Sequence, residues 1–410
     1  MHNPESGQLG ANNSNTDRYV VLVAGVILQF CAGIIYMWSV FKKPVAEHLD
    51  WTSGASALTA SVMLVAFVAG ILIGGRIMDR IGPKKVCIIG SLTMSAGILS
   101  SSLVTSDFPH AIYLTYGLVG GFGVGALYTC TVSSIQKWFY DRRGFSTGLM
   151  VGAFGFSLVL FAPLANTLLS GIGVPSTFAA FGVAFLCICV AASFFIRNPP
   201  KDYVIAKAPS ANCQKQYTTG EMLRTRSFYL IAFSLFLILP AYFILNPLFI
   251  SLGEERGLSE SLAVMGVMIT GVCSASGRLF ITWMSDHIGR MVSLLMIVAL
   301  TLIGIMLAIF ADGMLFVACL ALIAFGFGGA AGIYATVTSD HFGTKNMGSN
   351  YGFVMIGFGA SALIFPLLST EITSDGDYTM SFLICAATCI ASLACILLLR
   401  RFSDTGTKGA

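Results

Sequence analysis

Residues 262–290 read LAVMGVMITGVCSASGRLFITWMSDHIGR. Leu262 to Met284 is long and apolar enough to cross a bilayer as one helix, yet it carries a charge, Arg278. The chain holds 23 Lys and Arg and 19 Asp and Glu, and every other one lies at the end of an apolar segment or between segments. Asp286 marks where the segment leaves the apolar phase, which puts Arg278 roughly 12 Å deep at about 1.5 Å per residue. A guanidinium at that depth costs several kcal/mol and cannot shed its proton. It either snorkels to the surface or a helix carbonyl, or it faces a water-filled cavity as an anion site. The cost of the buried charge favours the anion site.

The composition sets the class. Of 410 residues, 56% are hydrophobic and 10% charged, with mean hydropathy +0.83. A soluble domain carries about 25% charged residues, so this is a polytopic membrane protein embedded in a lipid bilayer. Most of the eleven Cys lie in apolar runs (Cys187, Cys189, Cys385, Cys389, Cys395) without zinc spacing, and read as small buried hydrophobes. The five His form no H-E-x-x-H pattern. No metal, cofactor or nucleic-acid partner is expected. Residues 1–17 read as a disordered tail with no signal peptide behind it.

Apolar runs fall at about 19–40, 55–77, 86–104, 110–134, 146–168 and 176–196, then at 228–251, 262–284, 291–311, 315–338, 350–371 and 377–399. This predicts an all-α membrane protein of twelve transmembrane helices. A tail, 1–18, precedes a six-helix bundle, 19–196. A connecting loop, 197–227, leads to a second bundle, 228–399, and a tail, 400–410. Nineteen Lys and Arg gather on one side of the predicted membrane, against Lys42, Lys43 and Arg256 on the other. The other side carries Glu254, Glu255, Glu260, Asp375 and Asp377. The basic side is therefore expected to be cytoplasmic, with both termini on it.

The halves repeat. Gly75 to Lys85 reads GRIMDRIGPKK after the second span, and Met284 to Arg290 reads MSDHIGR after the eighth. Asp79 and Asp286 are 207 residues apart, as are Gly82 and Gly289. Gly120 to Tyr128 (GGFGVGALY) matches Gly326 to Tyr334 (GFGGAAGIY), and Pro163 matches Pro366. Two parallel six-helix repeats are the arrangement of major facilitator transporters, and the D-R-x-G-x-K-K loop resembles that superfamily's signature. Asp79, Arg80, Gly82, Asp286, Gly289 and Arg290 would form a latch, the acids capping helix ends and the cations pairing with neighbouring acids. Arg278 itself is not duplicated, since its counterpart is Ile71.

Other patterns have plainer readings. Gly144 to Gly148 matches G-x-S-x-G but opens a membrane helix without a preceding strand, so Ser146 reads as a helix cap. The Gly clusters at 120–125 and 326–332 read as close helix contacts. No enzymatic activity is expected. Tyr36, Tyr128 and Tyr334 lie inside apolar runs, where a phenol either anchors at the interface or lines a cavity. Asn246, between Pro240 and Pro247, marks span seven as bent. No Asp, Glu or His lies within a predicted span away from its ends, where His110, Glu371 and Asp377 fall.

Further segments carry a closer resemblance. CAGIIYMWSVFKKPV (31–45), YTCTVSSIQKWFYDRRG (128–144), GEMLRTRSFY (220–229), SDHIGR (285–290) and NYGFVMIGFGAS (350–361) together resemble the oxalate/formate antiporter family, which adjoins the monocarboxylate transporters. The resemblance implies a bacterial cytoplasmic membrane and a substrate held by a helix-eight arginine, here Arg278, beside tyrosines at Tyr36 and Tyr128. The family's helix-eleven lysine falls on Phe358, its helix-ten tryptophan on Phe327, and a further tyrosine on Ala331. One Arg beside Phe327 and Phe358 suits a monoanion such as lactate, pyruvate, formate or acetate, because a dianion would leave a carboxylate desolvated and unpaired. Oxalate/formate exchange is the alternative, and a carboxylate-sensing receptor on the same fold a third. Protons or a counter-anion would be the coupling partner.

Overall fold

In lipid a backbone must satisfy its own N–H and C=O groups, and apolar runs of this length do so as helices. The computed structural model describes residues 4–200, 203, 215–372 and 378–406, and is helical nearly throughout, with no strand among them. The helices that cross the membrane are α1 (Asp17–His48), α2 (Ser53–Ile81), α3 (Pro83–Ser100), α4 (Tyr113–Trp138), α5 (143–172) and α6 (174–193) in the first half. The second half holds α7 (Arg226–Leu245), α8 (Glu260–Ile288), α9 (Arg290–Ala308), α10 (Gly313–Phe342), α11 (Met347–Ile372) and α12 (Thr379–Gly406).

α5 and α6 run together as one stretch, Arg143–Ser193, but a straight helix of that length would far exceed a bilayer core of about 30 Å. Gly173, with φ 77° and ψ 177°, breaks it into two crossings. Among the described residues the predicted count of twelve therefore stands.

Large apolar side chains such as Val23, Ile73, Leu118, Phe280 and Leu367 are exposed, and this is the surface that lipid covers. The interior is close-packed through small residues. A Cβ on Gly125 would collide with the Phe67 carbonyl, and one on Gly328 with the Ser274 carbonyl, so the glycine clusters do seat α4 against α2 and α10 against α8. The ends differ from expectation. Residues 1–17 read as disordered, yet the helix begins at Pro4, and α12 continues past residue 399 to Gly406. Propagating an existing helix needs no new nucleus, so it outruns the apolar segment. Residues 201, 202 and 204–214 of the loop 197–227, together with Asp375 and Asp377, lie outside the described residues.

Candidate functional site

The two halves meet chiefly along α2 with α11 and α5 with α8. Between them lies a cavity of about 180 Å³, walled largely by aromatic rings, into which Arg278 projects. Its position follows from small residues on both sides. On α5, Gly155 leaves space for the guanidinium, since a Cβ there would stand 2.6 Å from Nη1. On α10, Gly328 and Gly332 let the backbone approach α8 at Arg278 itself.

Arg278 is 4% exposed, and its Nη2 donates to the Tyr36 hydroxyl at 3.0 Å. Its Nε and Nη1 are buried without a hydrogen-bond partner. Among the described residues the cavity wall holds no Asp, Glu or His. A buried cation with idle donors and no counter-charge is costly, and an anion entering the cavity would relieve that cost.

Tyr36 reaches Arg278 because α1 changes pitch around it. Gly33–Met37 is a 3-10 segment, which weakens the regular ladder. The Tyr116 hydroxyl donates to the Ile34 carbonyl at 2.9 Å, satisfying a group in that segment. A Cβ on Gly33 would collide with Ser157 and the Phe154 carbonyl, so α1 sits tightly on α5. The Tyr36 ring then lies 5.3 Å from the Arg278 guanidinium carbon and edge-on to Phe154.

Tyr128 lines the cavity, its hydroxyl 3.4 Å from that of Tyr351. Gln29 on α1 holds this part of α4 by donating to Thr131 at 2.8 Å and to the Tyr128 carbonyl at 3.3 Å. Phe327 and Phe358 form the wall contributed by α10 and α11, each packed against Phe243. Tyr334 belongs elsewhere. Its hydroxyl donates to Ser234 at 2.9 Å inside the second half, and it does not line the cavity. The repeat places Tyr334 opposite Tyr128 in sequence, but Ser234 on α7 offers it a buried partner within its own bundle.

Tyr242 and Phe154 line the cavity and escape the sequence reading, as do Gly155, which seats Arg278, and Tyr351, which meets Tyr128. Tyr242 lies in Pro240–Leu245, the short helix left where α7 is broken, and its ring stacks on Phe327 at 3.9 Å and 12°. The break at Asn246 is real. Its Oδ1 accepts from Thr270 on α8 at 3.3 Å.

The latch residues sit at the basic face and act across the halves. Asp79, at the end of α2, accepts from Gly348 N at 3.3 Å and Ser349 N at 2.7 Å, capping α11 of the other half. Asp286, at the end of α8, accepts from Gly144 N at 2.8 Å and Phe145 N at 2.7 Å, capping α5. Each carboxylate meets the positive end of a helix from the opposite bundle. Ser146 is thus not the cap expected of it. Asp286 takes that role, and the Ser146 hydroxyl turns to the Arg143 carbonyl at 3.2 Å.

Gly82 and Gly289 both adopt φ 88°, a left-handed turn that a side chain would strain, so the repeat preserves glycine there. Arg290 pairs with Asp286 and Asp340, each at 2.8 Å, and Asp340 also meets Arg143 at 2.6 Å. Arg80 does not join. It is exposed and makes no ion pair among the described residues, the neighbouring Asp79 carboxylate being taken by the α11 amides.

The family model of the Major Facilitator Superfamily matches residues 22–358 and 231–410. This chain belongs to that superfamily. Among curated relatives, the oxalate:formate antiporter of Oxalobacter formigenes is 28% identical over 400 residues, covering 96% of this chain and 94% of the relative. Monocarboxylate transporter 13 of Rattus norvegicus is 24% identical, covering 93% and 86%. Among solved structures, the E. coli transporter FucP in its outward conformation superposes with a TM-score of 0.71 at 15% identity, covering 94% of this chain and 99% of FucP. That likeness establishes the fold of this major facilitator protein.

Proposed function

We propose that this major facilitator protein is a secondary active transporter of small monocarboxylate anions, working by alternating access, with Arg278 as the carboxylate anchor. The observation that carries the reading is the pair of unpartnered Arg278 nitrogens, buried in a cavity that otherwise presents aromatic rings and phenols. A carboxylate would take up those donors in charge-assisted hydrogen bonds, with Tyr36 and Tyr128 beside it. Phe327 and Phe358 would cover a short apolar tail. The cavity lies below the range of about 300–1,000 Å³ of drug-sized sites, which fits a ligand of few heavy atoms. The names of the two curated relatives support the same substrate class.

The charge count separates monoanion from dianion. The cavity wall holds one cation among the described residues. Oxalate would leave its second carboxylate facing Phe327 or Phe358, at a desolvation cost of several kcal/mol. The basic face is cytoplasmic in this reading, the membrane is the bacterial cytoplasmic one, and the two carboxylate caps hold that face shut while substrate enters from the other side. Any coupling proton would travel on the substrate itself, since among the described residues the wall offers no carboxylate or imidazole to carry it.

The test is uptake of labelled L-lactate and labelled oxalate into proteoliposomes, with and without an inward proton gradient. Gradient-driven lactate uptake with oxalate ignored is the expected result. Oxalate entry only into formate- or oxalate-loaded vesicles would replace this reading with dianion exchange.

A further inference from the structure

Tyr36 and Tyr242 are 206 residues apart, the spacing that also separates Tyr128 from Tyr334. They are repeat mates on the first helix of each half. Both lie where that helix departs from regular geometry: Tyr36 in the 3-10 segment Gly33–Met37, Tyr242 in the short helix Pro240–Leu245. Both line the cavity with Arg278. Arg278, by contrast, has only Ile71 at its repeat position.

The two phenols are not equivalently engaged. Tyr36 already accepts from Arg278 Nη2. Tyr242 shares the cavity wall with Arg278 and Tyr36, but its hydroxyl makes no hydrogen bond to protein among the described residues. Its ring is fixed in place by the stack on Phe327, so the hydroxyl is pre-positioned rather than floppy. Stacking alone would be served as well by phenylalanine, which occupies the neighbouring walls at Phe243, Phe327 and Phe358.

We infer that Tyr242 is a substrate-binding residue, donating its hydroxyl to the carboxylate held on Arg278, so that one anion is gripped by repeat-related phenols from both halves. This rests on the carboxylate reading above and adds a specific donor to it. With Tyr36 on α1 and Tyr242 on α7, bound anion draws together the first helices of the two bundles. An empty cavity lacks that bridge, which couples occupancy to closure around the substrate.

The experiment titrates formate, acetate, L-lactate and pyruvate onto the purified full-length protein by calorimetry, and measures uptake of the best binder in proteoliposomes. Tyr242→Phe keeps the stack and removes the donor. Loss of a hydrogen bond to a charged acceptor predicts a rise in Kd and KM of about tenfold or more, with the melting temperature of the empty protein unchanged. Tyr334→Phe, which loses only its bond to Ser234, should leave Kd unaltered. A second pair guards against misfolding: Tyr242→Gln, which restores a donor, should bind more tightly than Tyr242→Leu.

Wild-type affinity in Tyr242→Phe, or equal affinities for the Gln and Leu variants, would overturn the inference. If Arg278→Ala abolishes binding in that same protein set, the carboxylate reading survives such a result. Should none of the four anions bind the wild type, the carboxylate reading fails and the role of Tyr242 with it.

Discussion

Arg278 Nη2 and the Tyr36 hydroxyl stand 3.0 Å apart across the boundary between the two halves. This is a contact between a buried cation and a phenol that lies 242 residues away in the chain, and it leaves Nε and Nη1 of the same guanidinium without partners. The expected behaviour of the transporter follows from that imbalance.

Replacing Arg278 by Ala removes the only cation on the cavity wall among the described residues. Saturable carboxylate uptake should vanish. Because the wild-type charge is buried with idle donors, its removal should leave the melting temperature equal or higher, as removing an uncompensated buried charge relieves a cost of several kcal/mol. Proteoliposome uptake and a thermal melt on the same preparation check both halves of this statement.

Gly155→Ala tests placement rather than chemistry. The added Cβ would lie 2.6 Å from Arg278 Nη1, and the mobile end of a long side chain is what must give way. The guanidinium would be pushed from its seat, while the Ala275 Cβ, 3.2 Å from the added carbon, asks only a small adjustment of α8. KM should rise about tenfold or more with little change in melting temperature, since a misplacement near 1 Å at a positioned group can cost up to about a hundredfold.

Phe358→Lys supplies a second cation to the same cavity. Oxalate binding should appear where the wild type shows none, and affinity for monocarboxylates should fall as the apolar wall is lost. Paired titrations with oxalate and L-lactate measure the exchange of preference. Unchanged preference would separate Phe358 from substrate selection.

The carboxylate caps predict a conformational effect. Asp286→Ala leaves the α5 amides uncapped and Arg290 without one of its two acids. Loss of a cap costs about 1 kcal/mol, which is roughly a fivefold shift in population toward the state open at the basic face. Cysteine labelling from that face, with substrate absent, should accelerate in Asp286→Ala and in Asp79→Ala. The reciprocal arrangement predicts effects of similar size from the two variants, although Arg290 adds a charge pair on one side alone.

A packing variant gives a different signature. A Cβ on Gly328 would strike the Ser274 backbone carbonyl, which has no rotamer to escape into. Gly328→Ala should force α10 from α8 at a cost of about 1–3 kcal/mol, read as a lower melting temperature along with lost transport. Gly155→Ala should lose affinity and keep stability, so the two glycines differ by what their neighbours are free to do.

Much of this protein is legible in its sequence alone. Hydropathy and span length determined twelve membrane helices, because a backbone in lipid has few alternatives to the helix. The 207-residue repeat of Asp79 with Asp286 and of Gly82 with Gly289 determined the two-bundle plan. Arg278 stood out because one charge inside an apolar span is too costly to be incidental. Tertiary structure decided what no spacing could: that Asp79 and Asp286 each cap a helix of the opposite bundle, that Tyr334 turns to Ser234, and that Tyr242 comes to the cavity in its place. A repeat equates positions in sequence, but hydrogen-bond partners are chosen by proximity in space. A phenol inside a membrane span reads the same whether it faces a cavity or a serine. Only the packing of the neighbouring helices separates the two.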